Sequence, residues 1–259
     1  MNENTFSTSS GIRPIRRYFS EAEKISTSDD IFSSFISSIS NDDFASVIFE
    51  DSLDCFGVTN SITGSYECKA FFETAPCGLE MIHVIASSYA NIEGMQCHTQ
   101  LDALLTKRLQ TMSQTQKETT VFNERSLTKV TCLNKVADGY DVNREIVEDG
   151  EKSHDTYFYT NKCLEGFISE GANLILQRLM IKKGFLTPFE AVGLDSQCVP
   201  CLLTYVGQRF KTYESFKVDL CDRNIVIKGE EITVTGIERR LQSSATLPAS
   251  WQTYYMSDG

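Results

Sequence analysis

Residues 169–184 (SEGANLILQRLMIKKG) constrain the fold more than any other stretch of this chain. Ser169 can accept a backbone N–H as N-cap, and Glu170 suits the positive helix start. Lys182 and Lys183 suit the negative end, and Gly184 can stop the helix in a left-handed cap. Ala172, Ile175, Leu176 and Leu179 fall at i, i+3, i+4 and i+7, and Leu174, Met180 and Ile181 widen that stripe around most of the circumference. A helix on a domain surface shows a narrower stripe. The spacing therefore predicts an enclosed helix, and the rest of the chain has to supply the enclosure.

That enclosure reads as strands. From Ser46 onward, strand signals recur at the spacing of about 8–12 residues found in all-β folds. They fall at 46–53, 65–73, 81–90, 95–105, 126–136, 140–147 and 153–160, and after the helix at 190–194, 199–207, 215–220, 224–228, 231–241 and 251–256. Asn91-Ile92-Glu93-Gly94, Ala137-Asp138-Gly139 and Glu148-Asp149-Gly150 mark hairpin turns, because Asp and Gly tolerate the positive φ such turns need. There is no alternation of strands and helices, so the sheet should be antiparallel. The expectation is an α+β fold: a curved antiparallel sheet, or half-barrel, around one central helix at about 169–183. It should form a single domain over 46–259.

Residues 1–45 form a Ser-rich extension of different character. An arm at 12–19 carries Ile15, Tyr18 and Phe19 as candidate partner anchors beside the basic Arg13, Arg16 and Arg17. At about 29–40, Ile31, Phe32, Phe35, Ile36 and Ile39 recur at helical spacing, with Ser28 or Asp29 able to cap the start. This short amphipathic helix can pack on the domain's own sheet or dock in a groove on a partner.

No motif announces chemistry. The chain has 259 residues and a net charge of −11, which argues against non-specific nucleic-acid or anionic-membrane binding. No apolar run is long enough to span a bilayer, and the N-terminus lacks an apolar signal core. The nine Cys are odd in number and scattered, as expected of free thiols in a reducing compartment. Cys198-Val199-Pro200-Cys201 is followed by a strand pattern rather than the helix start that activates a redox pair, and no second pair completes a zinc site. His83, His98 and His154 are spaced as isolated strand residues. Paired acids such as Asp42-Asp43 fall at helix starts or turns. No catalytic, cofactor-binding or metal-ligating residue is assigned, and the chain is expected not to be an enzyme.

The only Trp lies in Pro248-Ala249-Ser250-Trp251-Gln252-Thr253-Tyr254, a bulky strand expected to close the sheet edge, with a binding aromatic as the alternative. Ser257-Asp258-Gly259 reads as a hairpin turn without its return strand, so a longer full-length protein is expected. Together with Ser169-Glu170-Gly171-Ala172-Asn173-Leu174 and Leu176-Gln177-Arg178-Leu179, the Trp251 stretch resembles the ciliogenesis-associated family abbreviated CATIP, named for binding a tetratricopeptide-repeat protein. The resemblance runs over about 46–259.

The resemblance implies a non-enzymatic structural or adaptor protein of the cytoplasm, cytoskeleton and ciliary axoneme. It would support cilium assembly, with links to actin polymerisation and radial spokes. Its implied partners are other ciliary proteins, a tetratricopeptide-repeat protein and actin-associated factors. The alternative reading of the architecture is a half-barrel carrying a small apolar ligand.

Overall fold

The computed structural model describes residues 16–18, 30–56, 62–75, 78–208, 222–227, 230–244 and 246–255. In chain order the first elements are β1 (Arg16–Tyr18), α1 (Asp30–Ser37) and α2 (Asn41–Ala45). Strands β2 (Phe49–Phe56), β3 (Ile62–Thr74), β4 (Glu80–Ile92), β5 (Met95–Leu105), β6 (Thr111–Phe122), β7 (Arg125–Val136), β8 (Gly139–Glu148) and β9 (Glu151–Thr160) follow. Each pairs antiparallel with the next, and β1 adds parallel to β9. The parallel edge is the one departure from hairpin connectivity in this nine-stranded, open, curved sheet. The 215–220 strand expected from the sequence lies outside the described residues.

The hairpins twist with the strands. Glu93 and Gly94 have φ of 52° and 85°, and Asp149 and Gly150 have 48° and 92°. Positive φ at both central residues is the two-residue turn that matches strand twist. Residues paired across the sheet share a face. The inner face therefore reads Ala70, Val84, Ala103, Gln114, Leu133, Val142 and Tyr157 along one row. All but Gln114 are buried.

On this inner face lies α3 (Glu170–Lys182), capped by the Ser169 hydroxyl, which accepts from the Ala172 N–H at 3.3 Å. Gly184 takes the expected left-handed conformation, φ 59°. Ala172, Ile175, Leu176, Leu179 and Met180 are wholly buried. The helix start sits directly on the sheet: a Cβ at Gly171 would fall 2.4 Å from the Ala103 Cβ.

The other side of α3 is covered by a second sheet. It contains β10 (Phe189–Leu194), β11 (Pro200–Gln208), β12 (Asp222–Ile227), β13 (Glu230–Gln242) and β14 (Ala249–Tyr255). β13 is its hub, pairing with β12 through its first half and with both β11 and β14 through its second. One apolar cluster runs from β3–β5 through α3 to β10, β11 and β13.

The amphipathic helix α1 packs on that cluster. Phe32 stacks on Phe189 at 5.3 Å, and Phe35 on Phe185 at 4.2 Å. Both rings are buried, which agrees with the first of the two sequence readings, packing on the domain's own core, and removes Phe32 and Phe35 from the exposed candidates for a partner; burying two rings against their own core outweighs leaving them for a partner. Ile36 and Ile39 are half-buried against the same core, and Ile31 stays exposed. The short α2 has a reciprocal cap: Ser40 Oγ accepts from the Asp43 N–H, and Asp43 accepts from the Ser40 N–H. Among the described residues, no helix is long and apolar enough to cross a membrane.

Candidate interaction surfaces

The join between α3 and the second sheet is polar, and sequence reasoning missed it. Arg239 donates through both terminal nitrogens to Glu170, at 2.7 and 2.5 Å, and the Trp251 ring lies 5.2 Å from the guanidinium. Tyr205 donates its hydroxyl to Asn173 Oδ1 at 2.9 Å, Gln177 donates to the same oxygen, and Tyr255 donates to Gln177 Oε1. Arg178 pairs with Asp51 on β2 and lies 3.5 Å from the centre of the Phe49 ring. A hydrogen-bonded chain of this kind orients the elements it joins, although the buried Arg239 Nε has no hydrogen-bond partner among the described residues. Burial disfavours the Arg239 charge, yet Glu170 holds its pKa above the ordinary arginine value.

Beside this seam a cleft of about 540 Å³ opens between Gln116, Glu118 and Lys129 on the first sheet and Trp251 and Thr253 on the second. Trp251 is 47% exposed, so it lines the cleft rather than closing a core. Ala172, Ile175, Leu176, Leu179 and Met180 of α3 are wholly buried, and a smaller cavity of about 190 Å³ lies between Tyr66, Ala86 and Leu101 on the first sheet and Glu170 and Leu174 on the helix.

Beyond the cleft, the inner face runs out uncovered towards the 93–94 and 123–124 turns. Ala90, Cys97, Thr120 and Leu127 form one row across four strands, and Ile92 pairs with Met95 in the last. Ile62, Ile92, Phe122 and Leu127 are all exposed there. Scattered surface apolar residues are ordinary; these four share one face at one end of the sheet.

The other candidates stay apart. Ile15 and Phe19 lie outside the described residues, and Tyr18 is placed only by its backbone, opposite Phe158 in β1. Cys198 has φ 61° at the end of a loop in which Asp195 Oδ1 accepts from the N–H groups of Gln197 and Val199. Cys198 and Cys201 are both buried; burial raises the Cys198 pKa and pushes the Cys201 thiol up to about 12. That is opposite to what a redox pair needs. His98 pairs with Tyr89, not with His83. His83 instead sits between Glu73, at 2.6 Å, and Asp102, at 3.0 Å, a rung across three strands of the outer face.

A convergent catalytic set would place a nucleophile or base against a polar partner in a cleft. The polar groups of the seam instead pair with one another and join α3 to the second sheet, and the apolar end of the inner face lies open beyond them. The class this fold defines is a two-sheet scaffold around one central helix. A family model described as "Ciliogenesis-associated TTC17-interacting protein, N-terminal domain" matches residues 33–259, and the chain belongs to this family. It is 28% identical over 234 residues to the ciliogenesis-associated TTC17-interacting protein of Xenopus laevis, covering 87% of this chain and 57% of that protein. It is 26% identical over 231 residues to the Homo sapiens protein of the same name, covering 87% and 56%. The Danio rerio protein is 22% identical over 227 residues, covering 85% and 59%. The chain thus spans little more than half the length of these relatives. No solved structure gives a significant match.

Proposed function

We propose that this chain is a non-enzymatic protein-binding module that supports cilium assembly by engaging a tetratricopeptide-repeat protein of the TTC17 kind. The observation that carries the reading is the exposed apolar end of the concave face, formed by Ile62, Ile92, Phe122 and Leu127 on a chain of this family. The antiparallel ladder of β3 to β7 fixes the strands that present those side chains, so the surface is pre-shaped for a partner. An adaptor role in actin organisation, placement in radial spokes and residence at the axoneme extend the same reading. They rest on the family resemblance.

The test is capture of TTC17 by Ile92→Glu and Phe122→Glu variants, with circular dichroism to verify folding. Both residues are exposed, so the folded state should persist while capture falls at least about tenfold, the effect of losing a central apolar anchor. Undiminished capture by both folded variants would refute the assignment of this surface.

A further inference from the structure

At the opposite end of the first sheet lies a groove of about 630 Å³. Its walls are α1, the 106–110 turn between β5 and β6, and the 161–168 segment that leads into α3. Phe32, Ile36, Leu109, Leu164 and Phe167 give it an apolar lining. Leu109 is almost fully buried with φ 59°, an unusual conformation for a branched side chain. Thr106 stabilises the turn by accepting the N–H groups of Arg108 and Gln110 at its Oγ1. Leu109 is thereby tucked under while Arg108 stays exposed.

The charge on this groove runs against the whole chain. Net charge is −11, yet Lys107, Arg108 and Lys135 line the groove and none of its described lining residues is Asp or Glu. Lys107 is paired with Glu80 at 2.5 Å. Lys135 donates to the main-chain oxygens of Val136 and Gly139 and lies 5.2 Å from the Tyr140 ring centre, contacts that leave its charge uncompensated. The Arg108 guanidinium has no ion pair among the described residues. Besides the helix, the turn and the loop, Lys135 of β7 and Tyr140 of β8 line the groove, and both strands are paired on both edges, so an added strand would find no ladder to extend. A helix, which satisfies its own backbone, can use such a surface.

We propose that this groove docks an acidic amphipathic helix of a partner protein. The apolar face of that helix lies on Ile36, Ile39 and Phe167, which are half-buried, and its carboxylates meet Arg108 and Lys135. The inference shares the protein-contact reading above but uses a different end of the molecule, so either can fail alone.

The probe is a labelled helical peptide of about 15 residues, long enough to hold a helix. It carries Leu at i, i+3, i+4 and i+7 and Glu elsewhere on its polar face. A Lys-for-Glu analogue and a scrambled peptide serve as controls, and binding to the full chain is read by fluorescence anisotropy. The acidic peptide should bind, the two controls should not, and added salt should weaken binding. Arg108→Glu and Lys135→Met should each lower affinity at least about fivefold, and both together more, while Phe122→Glu at the far end leaves it unchanged. Equal binding of acidic and scrambled peptides, or indifference to Arg108→Glu, would overturn the proposal. Loss of binding in Phe122→Glu would also overturn it, by moving the peptide to the other surface. A wild-type dimer in sedimentation equilibrium that Arg108→Glu dissociates would overturn it in favour of a second copy of this chain.

Discussion

Arg239 on β13 holds Glu170 at the first turn of α3 through two parallel N–H···O bonds, with Trp251 beside the guanidinium. Residues from opposite ends of the sequence beyond residue 168 thus lock the second sheet onto the helix start. The two partners are unequally buried: the Arg239 side chain is 9% exposed and that of Glu170 38%. Removing each should therefore cost differently. Glu170→Gln leaves a buried guanidinium without a counter-charge, and we expect a loss of about 3 kcal/mol. Arg239→Met leaves a carboxylate that water reaches and the helix dipole favours, for which about 1–2 kcal/mol is expected. Urea unfolding of the two variants measures both. Equal losses, or the reverse order, would contradict the asymmetry.

Gly171 offers a test of sign. Glycine to alanine in a helix ordinarily stabilises by about 1 kcal/mol. Here the new Cβ would lie 2.4 Å from that of Ala103, with Gln114 Oε1 at 3.3 Å. Gly171→Ala should therefore destabilise by about 1–3 kcal/mol, the cost of overpacking. Adding Ala103→Gly should recover part of the loss, because it removes the opposing methyl. A stabilising Gly171→Ala would show that α3 does not press on β5.

Asp43 closes the cap of α2 and meets Lys183 at 3.0 Å. The Ser40 N–H, the Lys183 ammonium and the Ser40 hydroxyl lower its pKa from 3.8 to about 2. A folded pKa below the unfolded one means the carboxylate stabilises the folded state above pH 3.8, and that contribution disappears as pH falls through about 2. The carboxyl resonance of Asp43 should titrate near that value. In Asp43→Asn, stability should depend less on pH within the same window.

Thiol labelling should divide the cysteines by depth. Cys198 and Cys201 are buried with raised pKa, so both should resist a thiol reagent until the protein unfolds. Cys55, Cys97 and Cys132 are half-buried and should react earlier in native protein. Fast native labelling of Cys201, followed by mass mapping, would contradict its enclosure.

The central helix was legible because its signals are local: a cap at Ser169, a left-handed stop at Gly184 and apolar residues on most sides. The hairpins were legible for the same reason, though Gly139 serves differently than its Asp-Gly setting suggested. It begins β8, and a Cβ there would lie 1.9 Å from the Tyr159 carbonyl oxygen. The turn at Asn123-Glu124, with φ of 48° and 66°, carries no glycine to announce it. β6 was missed outright. Its inner face presents Gln114, Gln116 and Glu118, and polar residues in those places give no apolar alternation. Gln114 is there to accept the Gly171 N–H at 2.9 Å, a bond between residues 57 positions apart. The division into two sheets was hidden likewise, because the polar seam that places the second sheet joins residues far apart in sequence. The open concave end left a trace only as unremarkable apolar residues on different strands.

The hairpin meander has a temporal consequence. Apart from β1, which adds to β9, the strands β2 to β9 pair only with sequence neighbours, so that sheet needs nothing that follows residue 160 to form its ladder. The helix and the five later strands must then assemble onto a surface already present. Local pairing is fast and long-range pairing slow. We expect pulse-labelled hydrogen exchange to protect amides of β4–β8 before those of β11 and β13. During that interval the trough stands empty, and the glutamines of β6 leave it partly wettable, a guard against sticking to another chain while its own helix arrives.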